Sequence, residues 1–260
     1  MSIIEAIILG IIQGLTEFLP VSSSGHLEIG KAFLNVPAES LNFTIAVHGG
    51  TVLSTIVIFK KDIIQLIKGC FCFTWNEETK YVAKIALSMV PVAIVGLFFK
   101  DELKSLFTGG NLVFVGSMLI ATAVLLAFTY FAKEKEKKTS FFDAFIIGIS
   151  QAVAVLPGIS RSGTTIATGL LLGNKKELIA KFSFLMVLIP ILGENFLDLI
   201  SGDLLAGSEV GPQAITAGFI SAFISGLLAC KWMIGIVKKG KLIYFSAYCL
   251  LAGITAIFLG

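Results

Sequence analysis

The chain contains a single arginine, and its surroundings indicate chemistry. Lys and Arg together number 20, yet only Arg161 is an arginine, within the run ISRSGTT between long apolar stretches. A guanidinium is always charged, presents a planar fork of donors that matches phosphate or carboxylate oxygens, and tolerates partial desolvation better than an ammonium. We expect Arg161 to bind an anion through two contacts; the alternative is an interfacial anchor that reaches to headgroups.

A second polar cluster lies early in the chain. Gln13 and Glu17 are four residues apart, so they share one face of a helix, and the proline of the following run PVSSSGH ends that helix. The run supplies Ser22, Ser23, Ser24, Gly25 and His26. Ionisable residues inside apolar segments usually mark a functional path, although Glu17 could instead be only a charge partner for Arg161.

The two histidines favour different interpretations. His26 stands three residues after Ser23, where an imidazole can activate the hydroxyl or protonate a leaving group; a purely structural histidine is its alternative. His48 has no polar neighbours of this kind, and we favour packing or a backbone hydrogen bond for it. The cysteines show neither CxxC spacing nor a paired histidine, so we predict apolar packing rather than a zinc or redox role for Cys70, Cys72, Cys230 and Cys249.

The residues around Arg161 favour phosphate over carboxylate. Hydroxyls and glycines surround the guanidinium, and the candidate phosphate ligands are Ser160, Ser162, Gly163 and Thr165. Glycine lets backbone N–H groups approach an anion, and a phosphate uses more donors than a carboxylate. No Walker A sequence is present, so a nucleotide is not implied.

Composition defines the class of protein. The chain is 56% hydrophobic and 14% charged, with a mean hydropathy of +0.93, far outside the range of ordinary soluble domains. We predict a polytopic membrane protein. No Lys or Arg precedes Lys31, so we expect the apolar N-terminus to be part of the fold rather than a secretory signal.

Six apolar stretches are long enough to span a bilayer. They are roughly 41–60, 80–100, 111–132, 178–200, 211–236 and 242–259. Two further regions, about 2–30 and 140–172, are each broken halfway by proline, glycine and serines. The helix before the first break measures about 22 Å, short of the roughly 30 Å hydrocarbon layer, so both regions are predicted to be re-entrant hairpins.

Three lysine clusters set the predicted orientation, because lysine-rich short loops face the cytoplasm. They are Lys60, Lys61, Lys68, Lys80 and Lys84; Lys133, Lys135, Lys137 and Lys138; and Lys231, Lys238, Lys239 and Lys241. With these inside, the lysine-free loop near 201–210 is outside. Lys138 and the pair Lys175 and Lys176 are then both inside, so the region between them enters and leaves on one side. Both termini are predicted to be external.

The two hairpins are related by a constant offset of 138 residues. The matching pairs are Gly10 and Gly148, Gln13 and Gln151, Ser22 and Ser160, Ser24 and Ser162, and Gly25 and Gly163. Both hairpins begin with a Ser-x-x-acid helix cap. We therefore predict an all-α integral membrane protein: one domain over 1–260, with six transmembrane helices plus two re-entrant helical hairpins in an inverted-topology repeat, about 1–132 and 140–260.

The two hairpin tips nevertheless differ in chemistry. At the same offset, Glu17 aligns with Val155, Ser23 with Arg161, and His26 with Thr164. Inverted repeats with broken helices are typical of transporters, so a flippase or transporter with a midplane anion site is the alternative function. Distinct groups for attack, proton transfer and charge stabilisation favour a hydrolase.

The runs QGLTEFLPVSSSGH and LPGISRSGTT resemble the two signature motifs of the bacterial undecaprenyl-diphosphate phosphatases of the bacitracin-resistance type. The resemblance covers essentially the whole chain. It implies a multi-pass enzyme of the bacterial cytoplasmic membrane that hydrolyses undecaprenyl diphosphate to the monophosphate at the outer face. That reaction recycles the lipid carrier for peptidoglycan synthesis and confers bacitracin resistance.

The resemblance also implies roles for individual residues. It assigns catalysis to Glu17, Ser23, His26 and Arg161, and substrate binding to Gln13, Ser22, Ser24, Gly25, Ser160, Ser162, Gly163 and Thr165. A divalent cation, Mg²⁺ or Ca²⁺, is expected, but other members have glutamate where this chain has Gln13, and the ligands are not identifiable. The expected partners are the polyprenyl diphosphate and membrane lipids, with no nucleic acid; a homodimer is left open.

We hypothesise that Ser23 attacks the terminal phosphorus, that His26 and Glu17 handle its proton, and that Arg161 stabilises the transferring group. In the competing version, His26 or an activated water attacks directly and Ser23 only binds phosphate. The roles of Glu194 and Asp198 in the fourth predicted span stay open.

Overall fold

The protein is helical throughout the part of the chain that the structure describes. The computed structural model describes residues 1–36, 41–99, 102, 106, 111–133, 137–193 and 210–260. In chain order the helices are α1 (Ile3–Phe18), α2 (Ser23–Leu34), α3 (Leu41–Ile58), α4 (Lys60–Cys70), α5 (Glu77–Phe98), α6 (Leu112–Phe128), α7 (Phe141–Val153), α8 (Arg161–Leu171), α9 (Lys176–Met186), α10 (Pro212–Lys238) and α11 (Ile243–Leu259). A 3-10 turn, Thr129–Phe131, extends α6.

The long helices belong in lipid. Within the described residues, α5, α6 with its 3-10 extension, and α10 are long and apolar enough to cross a bilayer, while α7 and α11 are apolar but shorter. Large apolar side chains on these helices point outward: Leu97 is 79% exposed and Leu228 is 65% exposed. Such surfaces are stable against acyl chains and not against water. The chain is therefore a helical membrane protein, as its composition predicts.

Two predicted spans differ in detail from the structure. The stretch 41–60 continues as α3 and α4, which bend by 75° at their junction, so the first lysine cluster lies partly on a helix rather than in a loop. The stretch 178–200 is described up to residue 193, with α9 as its first part. Glu194 and Asp198 lie outside the described residues.

The two broken regions form the helix pairs α1–α2 and α7–α8. Both predicted caps are present: the Glu5 N–H donates to Ser2 Oγ at 3.2 Å, and the Asp143 N–H donates to Ser140 Oγ at 3.1 Å. The acidic side chain accepts from the serine N–H in return, which satisfies donors that the first helical turn leaves without partners. The helix α1 has 16 residues, or about 24 Å, which is too short to span.

Each hairpin packs on a long helix from the other half of the chain. The helix α1 lies along α10, and α7 lies along α5. Glycines permit both approaches: a Cβ at Gly148 would stand 2.5 Å from the Ser88 carbonyl oxygen, and a Cβ at Gly10 would meet the carbonyl of Gly218. In lipid, small residues of this kind supply the packing that water-driven association supplies elsewhere.

Ion pairs gather several lysines at one end of the molecule. Lys181 pairs with Asp62, Lys238 with Glu177 at 3.2 Å, and Lys138 with Glu77 at 3.8 Å. The start and the end of the second hairpin are also adjacent there, because the Lys175 N–H donates to the Lys137 carbonyl at 3.1 Å. Met1 and Leu34, from the start and the end of the first hairpin, pack together with Val210 in a separate apolar cluster.

The close approach of α7 and α5 gives a stability test. Gly148→Val should lower the thermal unfolding midpoint in detergent by roughly 5 °C, since overpacking costs about 1–3 kcal/mol and 1 kcal/mol shifts the midpoint of a protein this size by about 2–4 °C. Gly96→Val is the matched control, because among the described residues no atom beyond its chain neighbours and its own helix backbone lies within 4 Å of a Cβ built there. Equal midpoints for both variants would contradict this packing.

Candidate active site

The two hairpin tips touch each other. The Ser162 hydroxyl of the second hairpin donates to the Leu19 carbonyl of the first at 3.1 Å, and the Gly158 N–H donates to Ser24 Oγ at 3.5 Å. A Cβ at Gly163 would stand 3.0 Å from the Pro20 Cβ, so only a small residue fits. The meeting of the tips brings the two sequence motifs into one place.

The first tip is held in a strained turn. The helix α1 ends at Phe18, and the chain passes through Pro20 to Ser22, whose φ is 70°. This conformation is unfavourable for a residue with a side chain, by about 1–3 kcal/mol. The Ser22 hydroxyl compensates by accepting the Gly25 N–H at 3.3 Å as the N-cap of α2, and it is 2% exposed. The strain thus serves to start α2 immediately after α1.

The second tip repeats this cap 138 residues later. The Ser160 hydroxyl accepts the Gly163 N–H at 3.1 Å and so begins α8. The Ser160 N–H donates to Thr122 Oγ1 at 3.1 Å, which ties the tip to α6. Gly158 has a φ of 96°, and a side chain there would collide with the Val115 carbonyl. Thr122 is a positioning residue that the motifs did not indicate.

Glu17 is the centre of the polar contacts. Its Oε2 accepts from Ser23 Oγ at 2.6 Å and from Gln13 Nε2 at 2.9 Å. Gln13 is fully buried and stands one turn before Glu17 on α1, as the four-residue spacing predicts. In this short contact the Ser23 hydroxyl hydrogen points at a carboxylate oxygen, which is the geometry of a hydroxyl next to a general base.

Arg161 is the first residue of α8 and faces the same cavity as Glu17. It lies close enough for electrostatic interaction with that carboxylate. Among the described residues its guanidinium has neither a salt bridge within 4.0 Å nor a hydrogen bond. As far as the described residues are concerned, the N–H donors of Arg161 are therefore available to a ligand.

Helix termini add to the positive potential. The helices α2 and α8 begin at Ser23 and Arg161, and the first N–H groups of a helix have no intrahelical acceptor and carry partial positive charge. His48 also lies near Glu17, and its Nδ1 donates to the Thr44 carbonyl at 2.8 Å, the backbone hydrogen bond expected for it. Two helix N-termini and a guanidinium together suit an anion.

The cavity between these groups is narrow. Its wall combines polar and apolar side chains: Glu17, Phe18, Thr51, Val52, Thr55, Arg161, Ser162, Ser183, Phe184, Val187, Leu188 and Ile191. The volume open to the centre of a water molecule is about 10 Å³, room for roughly one water.

Three hydroxyl residues of this wall were missed by the motifs. Thr51 and Thr55 are one turn apart on α3, a spacing that marks one polar face within an apolar helix. Ser183 of α9 shares a hydrogen bond of 2.5 Å with Thr165. The sequence did not indicate these three residues because they lie far from the motifs along the chain. Only the packing of α3 and α9 against the tips brings them to the cavity wall.

His26 has partners other than Ser23. Its Nδ1 lies 2.9 Å from the Ser22 carbonyl, and its Nε2 lies 2.8 Å from the Tyr248 hydroxyl of α11. The structure thus differs from the expectation that His26 acts on Ser23, because the ring turns back to its own helix cap and across to α11. Among the residues that the structure describes, only Glu17 forms a hydrogen bond with the Ser23 hydroxyl.

The other predicted phosphate ligands hold the tips together. The hydroxyls of Ser22 and Ser160 cap helices, which also occupies the N–H groups of Gly25 and Gly163. The hydroxyls of Ser24, Ser162 and Thr165 contact other groups of the tips and of α9. In this arrangement the groups left to meet a ligand are those of Ser23, Glu17 and Arg161.

The polar side chains at the site suit a metal ion that is bound jointly by the protein and the substrate, rather than one that is coordinated by protein side chains alone. In the described ranges no group of three or more His, Cys, Asp or Glu could hold a metal ion. Glu17 offers a carboxylate, and the buried Gln13 Oε1 has no hydrogen-bond partner. Two oxygens on one helix face suit Mg²⁺ or Ca²⁺ only when phosphate oxygens or waters complete the coordination.

Fold and site together define a class: a helical membrane protein in which a serine hydroxyl, a carboxylate and a guanidinium meet where two broken helices touch. Within this class, the chain belongs to the family described as bacitracin resistance protein BacA, which it matches over residues 6–255. The matched range contains both hairpin tips and every residue named above at the site.

Named relatives resemble the chain over nearly its full length. It is 57% identical over 258 residues to the undecaprenyl-diphosphatase of Bacteroides fragilis, covering 97% of this chain and 96% of that protein. It is 57% identical over 262 residues to the undecaprenyl-diphosphatase of Parabacteroides distasonis, covering 99% and 98%. The undecaprenyl-diphosphatase of Methanococcus vannielii is 42% identical over 260 residues, covering 98% and 99%.

The link between the second tip and α6 yields a second test. Thr122→Val keeps the shape of the side chain but leaves the Ser160 N–H without an acceptor, so the free energy of unfolding should fall by about 1–3 kcal/mol. The measurement is thermal unfolding in detergent. Thr255→Val is the matched control, because the exposed Thr255 hydroxyl only donates within its own helix. A variant as stable as the control would argue against the Thr122 contact.

Proposed function

We propose that this protein hydrolyses undecaprenyl diphosphate to undecaprenyl phosphate and inorganic phosphate. The observation that carries the proposal is the 2.6 Å hydrogen bond from Ser23 to Glu17, beside the lone arginine, at the contact of the two motif-bearing tips. An activated hydroxyl next to a guanidinium is what phosphoryl transfer needs. The names of the relatives give the same substrate.

The proposed architecture is six transmembrane helices and two re-entrant hairpins in an inverted repeat. Its support is the equivalent packing of the hairpins, α1 on α10 and α7 on α5, at glycines that are 138 residues apart. The adjacency of Lys137 and Lys175 supports a second hairpin that enters and leaves on one side. Opposite insertion of the hairpins follows from the repeat.

The orientation proposed for the protein has the lysine-rich end in the cytoplasm. The ion pairs Lys181–Asp62, Lys238–Glu177 and Lys138–Glu77 support one common side for the segments that carry these lysines. The active site then opens to the outer face of the bacterial cytoplasmic membrane. There the reaction regenerates the carrier used in peptidoglycan synthesis and confers bacitracin resistance.

The proposed mechanism has two steps. In the first, Glu17 accepts the Ser23 proton while Oγ attacks the terminal phosphorus, the bond from that phosphorus to the bridging oxygen breaks, and undecaprenyl phosphate leaves with the electron pair. Arg161 balances the charge on the transferring group. In the second, water attacks the phosphorus of the phosphoseryl group, the bond from that phosphorus to Ser23 Oγ breaks, Glu17 returns its proton to Oγ, and inorganic phosphate leaves with both protons of the water. Direct attack by water or by His26 is the competing version.

A divalent cation belongs to this proposal through the family resemblance. The Glu17 carboxylate and Gln13 Oε1 are the protein atoms that would hold it, with diphosphate oxygens completing the coordination. When bound, it would neutralise charge on the diphosphate. Gln13 also orients Glu17 through its amide hydrogen bond, whether or not a cation is present.

Ser23→Ala tests the nucleophile. The variant should lose at least about 100-fold in activity and should retain no labelled phosphate on the protein after a rapid acid quench with labelled substrate. Ser117→Ala is the control, because among the described residues the half-buried Ser117 hydroxyl donates only to the Val113 carbonyl of its own helix. A covalent phosphate adduct that persists in Ser23→Ala would contradict attack by Ser23.

Arg161→Lys tests the guanidinium. A lysine keeps the charge but provides a single point donor in place of the planar fork, so kcat/KM should fall by about 100-fold, the loss typical for an electrostatic donor at a transition state. The measurement is phosphate release by purified protein, with thermal unfolding as the control for folding. Near-normal turnover would remove Arg161 from this role.

The equivalent packing of the two hairpins also favours a second candidate, a polyprenyl-phosphate flippase or transporter. The two candidates differ in what purified protein does without a gradient. Hydrolysis of undecaprenyl diphosphate in detergent supports the enzyme, because detergent offers no second compartment. Lipid movement in vesicles without phosphate release would support the transporter.

A further inference from the structure

His26 is held at both ring nitrogens, and one partner comes from the far end of the chain. Nδ1 lies 2.9 Å from the Ser22 carbonyl oxygen, and Nε2 lies 2.8 Å from the Tyr248 hydroxyl. The two rings also stack, with centroids 5.5 Å apart and an interplanar angle of 14°. The ring is thereby fixed between its own helix cap and α11.

These contacts determine where the imidazole proton resides. A backbone carbonyl only accepts, so Nδ1 carries a hydrogen, and in the neutral ring Nε2 is then the acceptor. Tyr248 donates its hydroxyl hydrogen to that lone pair. If the ring gains a proton, the phenolic oxygen can instead accept from Nε2–H. Tyr248 therefore supports both protonation states of His26 without any movement of the ring.

Tyr248 is itself fixed against the first tip. Its neighbour Cys249 donates its thiol to the Pro20 carbonyl at 3.5 Å, and Ser246 donates to the Ala123 carbonyl of α6 at 2.6 Å. Tyr248 is 47% exposed, so the pair formed by its hydroxyl and the His26 imidazole lies at the edge of the tip rather than in the core.

Ser22 lies directly before Ser23, whose hydroxyl donates to Glu17, so a contact that holds the Ser22 carbonyl also holds the position of Ser23. Resting on the proposed function, we propose that Tyr248 is a positioning residue for hydrolysis: its hydroxyl fixes the His26 imidazole, and the ring in turn holds the Ser22 carbonyl, so that the turn keeps the neighbouring Ser23 hydroxyl beside Glu17. Tyr248 acts through His26 and does not contact the phosphate itself.

Tyr248→Phe removes only the hydroxyl and keeps the stacked ring. We expect kcat for phosphate release to fall roughly tenfold, with KM nearly unchanged, because the loss concerns the placement of the attacking hydroxyl and not substrate binding. Tyr244→Phe is the matched control: Tyr244 lies one turn earlier on α11, is 67% exposed, and has no hydrogen-bond partner among the described residues. Its kcat should equal that of the unaltered protein.

The chain offers a direct readout, since it has only two histidines. With ¹⁵N-labelled histidine in the full chain, each ring gives its own pair of nitrogen signals, and a His48→Gln variant identifies those of His26. Tyr248→Phe should move the His26 Nε2 signal, because that nitrogen loses its hydrogen-bond donor, whereas Tyr244→Phe should leave it in place.

The outcomes separate this inference from the proposed function. If the unaltered protein is active and Tyr248→Phe matches it in kcat, the inference fails alone. It also fails if kcat falls together with the unfolding temperature while the His26 Nε2 signal stays in place, since the hydroxyl would then act through stability. An unaltered protein that releases no phosphate would overturn the proposed function and this role with it.

Discussion

The arrangement of this protein depends on one constraint: a helix that stops inside an apolar interior must satisfy its terminal backbone groups without water. A polar backbone group left without a partner there costs several kcal/mol. Both hairpins stop in this way, and both solve the problem with a serine cap, Ser22 on α2 and Ser160 on α8. The two tips then share further hydrogen bonds, so each one stabilises the broken helix of the other.

This solution also sorts the polar groups into two sets. Most tip hydroxyls hold backbone groups, which is a structural task, while Glu17 and Arg161 line the cavity and Ser23 donates its hydroxyl hydrogen to Glu17. A carboxylate and a guanidinium in a low-dielectric region are costly alone and less so together, and the N-termini of α2 and α8 add favourable potential for an anion. Structural and functional demands thus meet within the same few residues.

The two halves show how one packing scheme serves different chemistry. Gly10 and Gly148 let equivalent helices approach equivalent partners, so the backbone arrangement is shared. At the tips, however, one half supplies the hydroxyl, the carboxylate and the imidazole, and the other supplies the guanidinium. The equivalent packing of the two hairpins brings these groups together at the contact of the tips. A single continuous helix could not do this, because its side chains diverge around the helix axis.

The sequence by itself determined the class of protein, the broken helices, both serine-acid caps, the offset of 138 and the Gln13–Glu17 pair, since each depends on composition or on contacts a few residues apart. Only the tertiary structure decided which hydroxyls hold the tips, that Glu17 rather than His26 contacts Ser23, and that Thr122 and Ser183 contact the second tip and Tyr248 contacts His26. These contacts join residues up to 222 positions apart, and side-chain type and local spacing carry no information about which helices will pack together.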